Sequence, residues 1–82
     1  MKVVLEKRAA KYLESLDENI RRRIIEALKK LQKVPPSGDI VKLQGQETAY
    51  RLRVGGYRVL FKDKITCLAV YKIAPRGQAY KE

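Results

Sequence analysis

The sequence has no histidine, no tryptophan and a single cysteine in 82 residues. The missing histidine removes imidazole acid–base catalysis, most zinc sites and every Ser-His-Asp or Cys-His arrangement. One cysteine, Cys67, permits neither an internal disulfide nor a multi-cysteine metal site. It lies in the apolar run Ile65-Thr66-Cys67-Leu68-Ala69-Val70, where a buried core thiol is expected. Long hydrophobic runs are missing too, since none approaches the roughly 18 residues of a membrane span. The apolar stretch near the start, Val3-Val4-Leu5, is far too short for an export signal. A cytoplasmic location without a membrane partner is therefore expected.

Acidic residues are scarce. Nine Asp and Glu face 19 Lys and Arg, for a net charge of +10. Such an imbalance in so short a chain favours a polyanionic partner over a merely solubilising surface. The length suits one domain over residues 1–82, and 45% apolar residues suffice for one compact core.

Lys2 to Glu6 is short and β-branched, a candidate first strand. Ala9, Tyr12, Leu13 and Leu16 then recur at helical spacing. Asp17 suits the N-cap of a second helix, and Glu18 the positive end of its dipole. In that helix Ile20, Ile24, Leu28 and Leu31 form one apolar stripe, opposite Arg21, Arg22, Arg23, Glu26, Lys29, Lys30 and Lys33. Pro35-Pro36-Ser37-Gly38 ends it. Asp39 to Thr48 reads as a polar connector.

Beyond the connector the period changes from 3.6 to 2. Ala49–Val54 and Tyr57–Lys62 alternate around Gly55-Gly56, a two-residue hairpin loop. Ile65 to Ile73 is expected as a third, central strand. The order β-α-α-β-β-β describes an α+β domain, a helical hairpin packed on one face of a small antiparallel sheet.

A two-residue loop fixes register. It sets Val54 opposite Tyr57, Arg53 opposite Arg58, Leu52 opposite Val59 and Arg51 opposite Leu60. Tyr50, Leu52, Val54, Tyr57, Val59 and Phe61 then share the core face. Arg51, Arg53, Arg58 and Lys62 share the other. Like charges directly opposite on a sheet are destabilising, so this stripe implies an anion that completes it, and Arg grips phosphate bidentately. A carboxylate arriving from elsewhere is the competing explanation. Arg76 and Tyr80, beyond the last strand, can extend the stripe with a fourth guanidinium and with a stacking ring or phenol.

The tract Lys42-Leu43-Gln44-Gly45, followed by Tyr50-Arg51-Leu52-Arg53-Val54-Gly55-Gly56-Tyr57-Arg58-Val59-Leu60-Phe61, resembles the signature of the RelE/ParE toxin superfamily of toxin–antitoxin systems. Pro75-Arg76-Gly77-Gln78-Ala79-Tyr80-Lys81 resembles that family's C-terminal segment. The resemblance spans essentially the whole chain. It implies a RelE-like fold and a RelE-type mRNA interferase, an endoribonuclease that cuts messenger RNA in the ribosomal A site by driving the 2′-hydroxyl onto the adjacent phosphate. Neither cofactor nor metal is implied.

Carried over by position, the catalytic set is Arg53, Arg58, Arg76 and Tyr80. Arg51, Lys62 and Lys81 would bind RNA, with Arg51 anchoring a neighbouring phosphate. Where some relatives carry His, a second Arg or Glu, this sequence has Pro75, Gly77 and Gln78, so no carboxylate presents itself as general base. Tyr80 is assigned that role, its pKa drawn down by guanidinium charge. The implied partners are mRNA on the ribosome, with ribosomal RNA contacts, and an acidic antitoxin in a hetero-oligomeric complex. For Arg21-Arg22-Arg23 and Lys29-Lys30 of the second helix, contact with ribosomal RNA is the alternative to a solvated helix face, and runs of this kind favour the solvated face. Two other functions fit the residues: a ParE-like inhibitor of DNA gyrase, and an RNA-binding module whose catalytic set has decayed.

Overall fold

In the computed structural model, which describes residues 1–78, each helix starts and stops where local chemistry dictates. Helix α1 spans Lys7–Ser15 and α2 spans Glu18–Leu31. The sharp joint between them is held by Asp17, whose Oδ1 accepts from the Asn19 and Ile20 amides at 2.9 and 3.2 Å. That cap satisfies two of the orphan amides of α2. Glu18 lies in its first turn and Lys29 and Lys30 in its last, each sign suited to its end of the dipole.

Among the described residues five strands form one sheet: β1 (Val3–Leu5), β2 (Asp39–Lys42), β3 (Ala49–Val54), β4 (Tyr57–Asp63) and β5 (Leu68–Pro75), in the order β1-β5-β4-β3-β2. Both helices cover one face. Ala9 and Leu13 of α1 and Ile24, Leu28 and Leu31 of α2 meet Leu52, Val59, Phe61, Val70 and Ile73 of the sheet. Ile24, Leu31, Leu52, Val59 and Val70 are fully buried, and each contributes about 1.5–3 kcal/mol by leaving water.

The α+β architecture and the helical hairpin on one sheet face agree with the sequence reading. The sheet differs in particulars. The expected polar connector contains an edge strand, β2, which pairs antiparallel with β3 from Asp39↔Arg53 to Lys42↔Tyr50. The first strand pairs parallel with β5, Val3 to Leu68 through Leu5 to Val70, so the sheet is mixed. The middle position belongs to β4, and β5 lies beside it.

The last strand also starts later than expected. Ile65 is 86% exposed with φ 73°, in a turn where Asp63 accepts from its amide at 2.9 Å. That turn displaces Cys67 from the core, leaving it half-buried rather than buried. Gly38, just before β2, has φ 141°, and a Cβ there would stand 2.7 Å from Leu52 Cδ1. Only glycine lets the chain leave α2 and pass this close to the core.

Candidate nucleic-acid interface

The hairpin forms in the expected register, Val54↔Tyr57, Arg53↔Arg58, Leu52↔Val59 and Arg51↔Leu60. The Asp63 amide donates to Thr48 O at 2.8 Å, and the Arg76 amide to Gly56 O at 2.8 Å. Arg51, Arg53, Arg58 and Lys62 therefore do share the sheet face opposite the helices. Ala49, Leu60, Ala69 and Ala74, on the same face, are buried, so the floor between the long basic side chains is apolar.

The four cations are not equivalent. Arg53 Nε lies 2.6 Å from Asp39 Oδ2, and Arg51 Nη2 lies 3.3 Å from Asp39 Oδ1. One carboxylate on the edge strand thus bridges two arginines, and the expectation of an unneutralised stripe is corrected at these two positions. Arg51 pays for its place: its Nε is buried and has no hydrogen-bond partner among the described residues. Lys62, at the other end of β4, places its Nζ 5.4 Å from the centre of the Tyr71 ring, a cation–π contact. At about 3.3 Å per residue it is some 13 Å along the strand from Arg58.

Arg58 is the outlier. It is only 8% exposed, and its Nη1 donates to the Tyr57 and Gly55 carbonyls at 3.1 and 3.4 Å. Among the described residues no carboxylate pairs with it. Those bonds hold the guanidinium against the Gly55-Gly56 turn. Arg76 arrives at the same place, because its amide bonds Gly56 in the turn that follows the end of β5 at Pro75, the partner of Tyr57. Its side chain is exposed. The structure thus gathers Arg53, Arg58 and Arg76 at the hairpin tip, sets Arg51 midway and places Lys62 far off. Tyr80 and Lys81 lie outside the described residues.

Asp39 was missed from sequence because its pairing with Arg53 exists only once β2 is known. The β-branched pair Ile40-Val41 was the available signal. A hollow of about 1300 Å³ is lined by Arg8, Lys11 and Tyr12 of α1 together with Leu43, Leu60 and Ala74. Burial, helped by the neighbouring Tyr57, pushes the Tyr12 phenol up, keeping it neutral. Among the described residues no group of three Asp, Glu, Cys or His could hold a metal. No helix there is long and apolar enough to cross a membrane.

Comparison with known proteins supplies the family. The family described as "ParE toxin of type II toxin-antitoxin system, parDE" matches residues 3–80. RelE of Pyrococcus horikoshii, solved in complex with RelB, is 34% identical, with 95% of this chain and 97% of that one covered and a TM-score of 0.74. The chain belongs to the RelE/ParE toxin superfamily. RelE of Methanococcus jannaschii, also solved with RelB, is 25% identical over 89% of each chain at a TM-score of 0.75. The isolated Escherichia coli RelE toxin shares the fold, with a TM-score of 0.77 at 19% identity, covering 96% of this chain and 87% of that one. No curated protein matches. The hairpin tip described above is therefore a feature of a type II toxin.

Proposed function

We propose that this toxin is a metal-independent endoribonuclease that cuts messenger RNA in the ribosomal A site and is held silent by an acidic antitoxin. The observation that carries the reading is the convergence of Arg53, Arg58 and the backbone of Arg76 on the hairpin tip, where Arg58 is buried and, among the described residues, bonds turn carbonyls and pairs with no carboxylate. A guanidinium fixed in this way is preorganised toward the charge that develops on phosphorus and costs little reorganisation during reaction.

In this mechanism the RNA 2′-oxygen attacks the adjacent phosphorus and the bond to the 5′-oxygen breaks. A 2′,3′-cyclic phosphate and a 5′-hydroxyl result. Arg53, Arg58 and Arg76 neutralise the pentavalent phosphate, and guanidinium charge takes the part a metal would otherwise play. Tyr80 accepts the 2′-proton as its phenolate, and water protonates the leaving oxygen, the hydroxide so formed returning Tyr80 to the phenolate. Arg51, Lys62 and Lys81 bind neighbouring phosphates. Cytoplasmic residence follows from a ribosomal target. The antitoxin is proposed on charge, +10 on the toxin, and on the RelB complexes of the two archaeal relatives.

Primer extension on messages from cells expressing the wild type, Arg76→Ala and Tyr80→Phe tests the reading. Arg76 is exposed, so its truncation probes charge rather than folding. Cuts inside translated frames, lost in both variants, are expected. Uncut messages with a DNA-damage response would overturn the reading in favour of a gyrase inhibitor. Absence of both toxicity and cleavage would leave a decayed RNA-binding module.

A further inference from the structure

Helix α2 and the hairpin enclose a second cationic site. A cleft of about 410 Å³ runs between them, lined by Arg22, Arg23 and Lys30 of α2, by Ser37 and by Arg53 of β3, among others. Arg22 is paired with Glu18 at 3.2 Å and Arg53 with Asp39. Glu26, also at the cleft, is engaged by Lys29 at 3.3 Å. Arg23 and Lys30 are left with no carboxylate within ion-pair distance among the described residues. They are seven residues apart, two helical turns and about 10.5 Å along the axis, with the small Ala27 between them on the cleft wall.

Arg23 is also aimed. Its Nη2 lies 3.2 Å from the point a Cβ would occupy on Gly55, where φ is 57°. The guanidinium thus rests against one side of the turn whose carbonyls hold Arg58 on the other. Strand β2 begins at Asp39, opposite Arg53, so Val54 and the turn project past the sheet's edge strand. Nothing in the ladder blocks a path around that tip, and Arg53 belongs to both the open sheet face and the cleft.

We propose that this cleft is a second phosphate subsite. Arg23 and Lys30 hold phosphodiesters of the same single-stranded RNA that engages Arg53, Arg58 and Arg76, the strand bending around the Gly55-Gly56 tip. The subsite rests on the reading of the tip as an RNA clamp, though not on cleavage. Continuity with Arg53 favours RNA over an acidic peptide as occupant.

Fluorescence anisotropy tests it with two fluorescently labelled single-stranded RNAs, a dinucleotide and a dodecanucleotide, at several salt concentrations. The proteins are the wild type, Arg23→Gln/Lys30→Gln and the control Lys2→Gln/Lys64→Gln, which removes equal charge near the opposite sheet edge. A contact to single-stranded nucleic acid contributes a slope of about 0.7 in log K against log salt. At 0.1 M salt the cleft variant should then bind the dodecamer about 25-fold more weakly, with the slope shallower by about 1.4, and bind the dinucleotide as the wild type does. The control should lose little. Equal dodecamer affinity for wild type and cleft variant, equal losses in cleft variant and control, or no dodecamer binding by the wild type would each overturn the subsite. If the wild type cuts messages while the cleft variant binds normally, the subsite alone fails. If the wild type cuts nothing but needs Arg23 and Lys30 to bind, the nuclease reading alone fails.

Discussion

Asp39→Asn separates the two roles that one carboxylate can play in a basic cluster. The substitution keeps shape and an oxygen acceptor but removes the charge shared by Arg51 and Arg53. Asp39 is 40% exposed at its side chain, Arg51 19% and Arg53 54%. Ion pairs this wet are worth about 0.2–1 kcal/mol each, so losing both costs about 1 kcal/mol, with relief of neither Arg53 nor Arg58 from the other. For a domain of this size that lowers the melting temperature by about 4–8 °C. RNA binding should move the other way. Net charge rises by one from +10, and a phosphate no longer competes with Asp39 for Arg53. One additional phosphate contact steepens the salt slope by about 0.7 and tightens binding about 5-fold at 0.1 M salt. Differential scanning fluorimetry and anisotropy with a dodecanucleotide measure both quantities. Weaker RNA binding by Asp39→Asn would refute the competition and show that the carboxylate instead positions the arginines for RNA.

Two further substitutions test the backbone around the site. Gly38→Ala drives a Cβ to 2.7 Å from Leu52 Cδ1 at φ 141°, and Leu52 is 1% exposed; overpacking of this kind should cost about 1–3 kcal/mol in urea unfolding, and an unchanged midpoint would sink the close-approach account. Ile65→Asn relieves a β-branched residue at φ 73° that is 86% exposed, and should raise stability by about 1 kcal/mol; a loss of stability would show that Ile65 packs in a way its exposure does not suggest.

What could be read in the sequence follows the range of the interactions involved. The hairpin register was legible because Gly55-Gly56 leaves two residues for the loop and a shift by one would expose Leu52, Val59 and Phe61. The helical hairpin was legible from its apolar stripes and the Asp17 cap. β2 was not: its four residues follow Pro35-Pro36-Ser37-Gly38 and show only Ile40 and Val41 as apolar positions. The parallel pairing of β1 with β5 joins segments more than sixty residues apart and leaves no local trace. The start of β5 was misplaced because Ile65 and Thr66 look like strand residues, whereas Asp63 captures the Ile65 amide into a turn. The missed β2 bears on the site, since Asp39 reaches the arginines from that strand.

That correction changes where along the stripe an anion gains most. A uniform row of cations would bind phosphate anywhere along β3 and β4. In the folded chain Arg51 and Arg53 share Asp39, and Lys62 lies over Tyr71. Arg58 and Arg76 face no carboxylate among the described residues. Arg58 has little solvent around it, and charges in such a setting are screened less than exposed ones. An incoming phosphate therefore gains most at the hairpin tip, where Arg58 is already oriented by the Tyr57 and Gly55 carbonyls. Arg53 can join only by exchanging Asp39 for the phosphate. The exchange makes Arg53 a conditional ligand, and it predicts that Arg76→Ala weakens RNA binding more than Arg51→Ala at the same salt. Equal losses from the two substitutions would mean that the stripe acts as a uniform field and that the tip has no special standing.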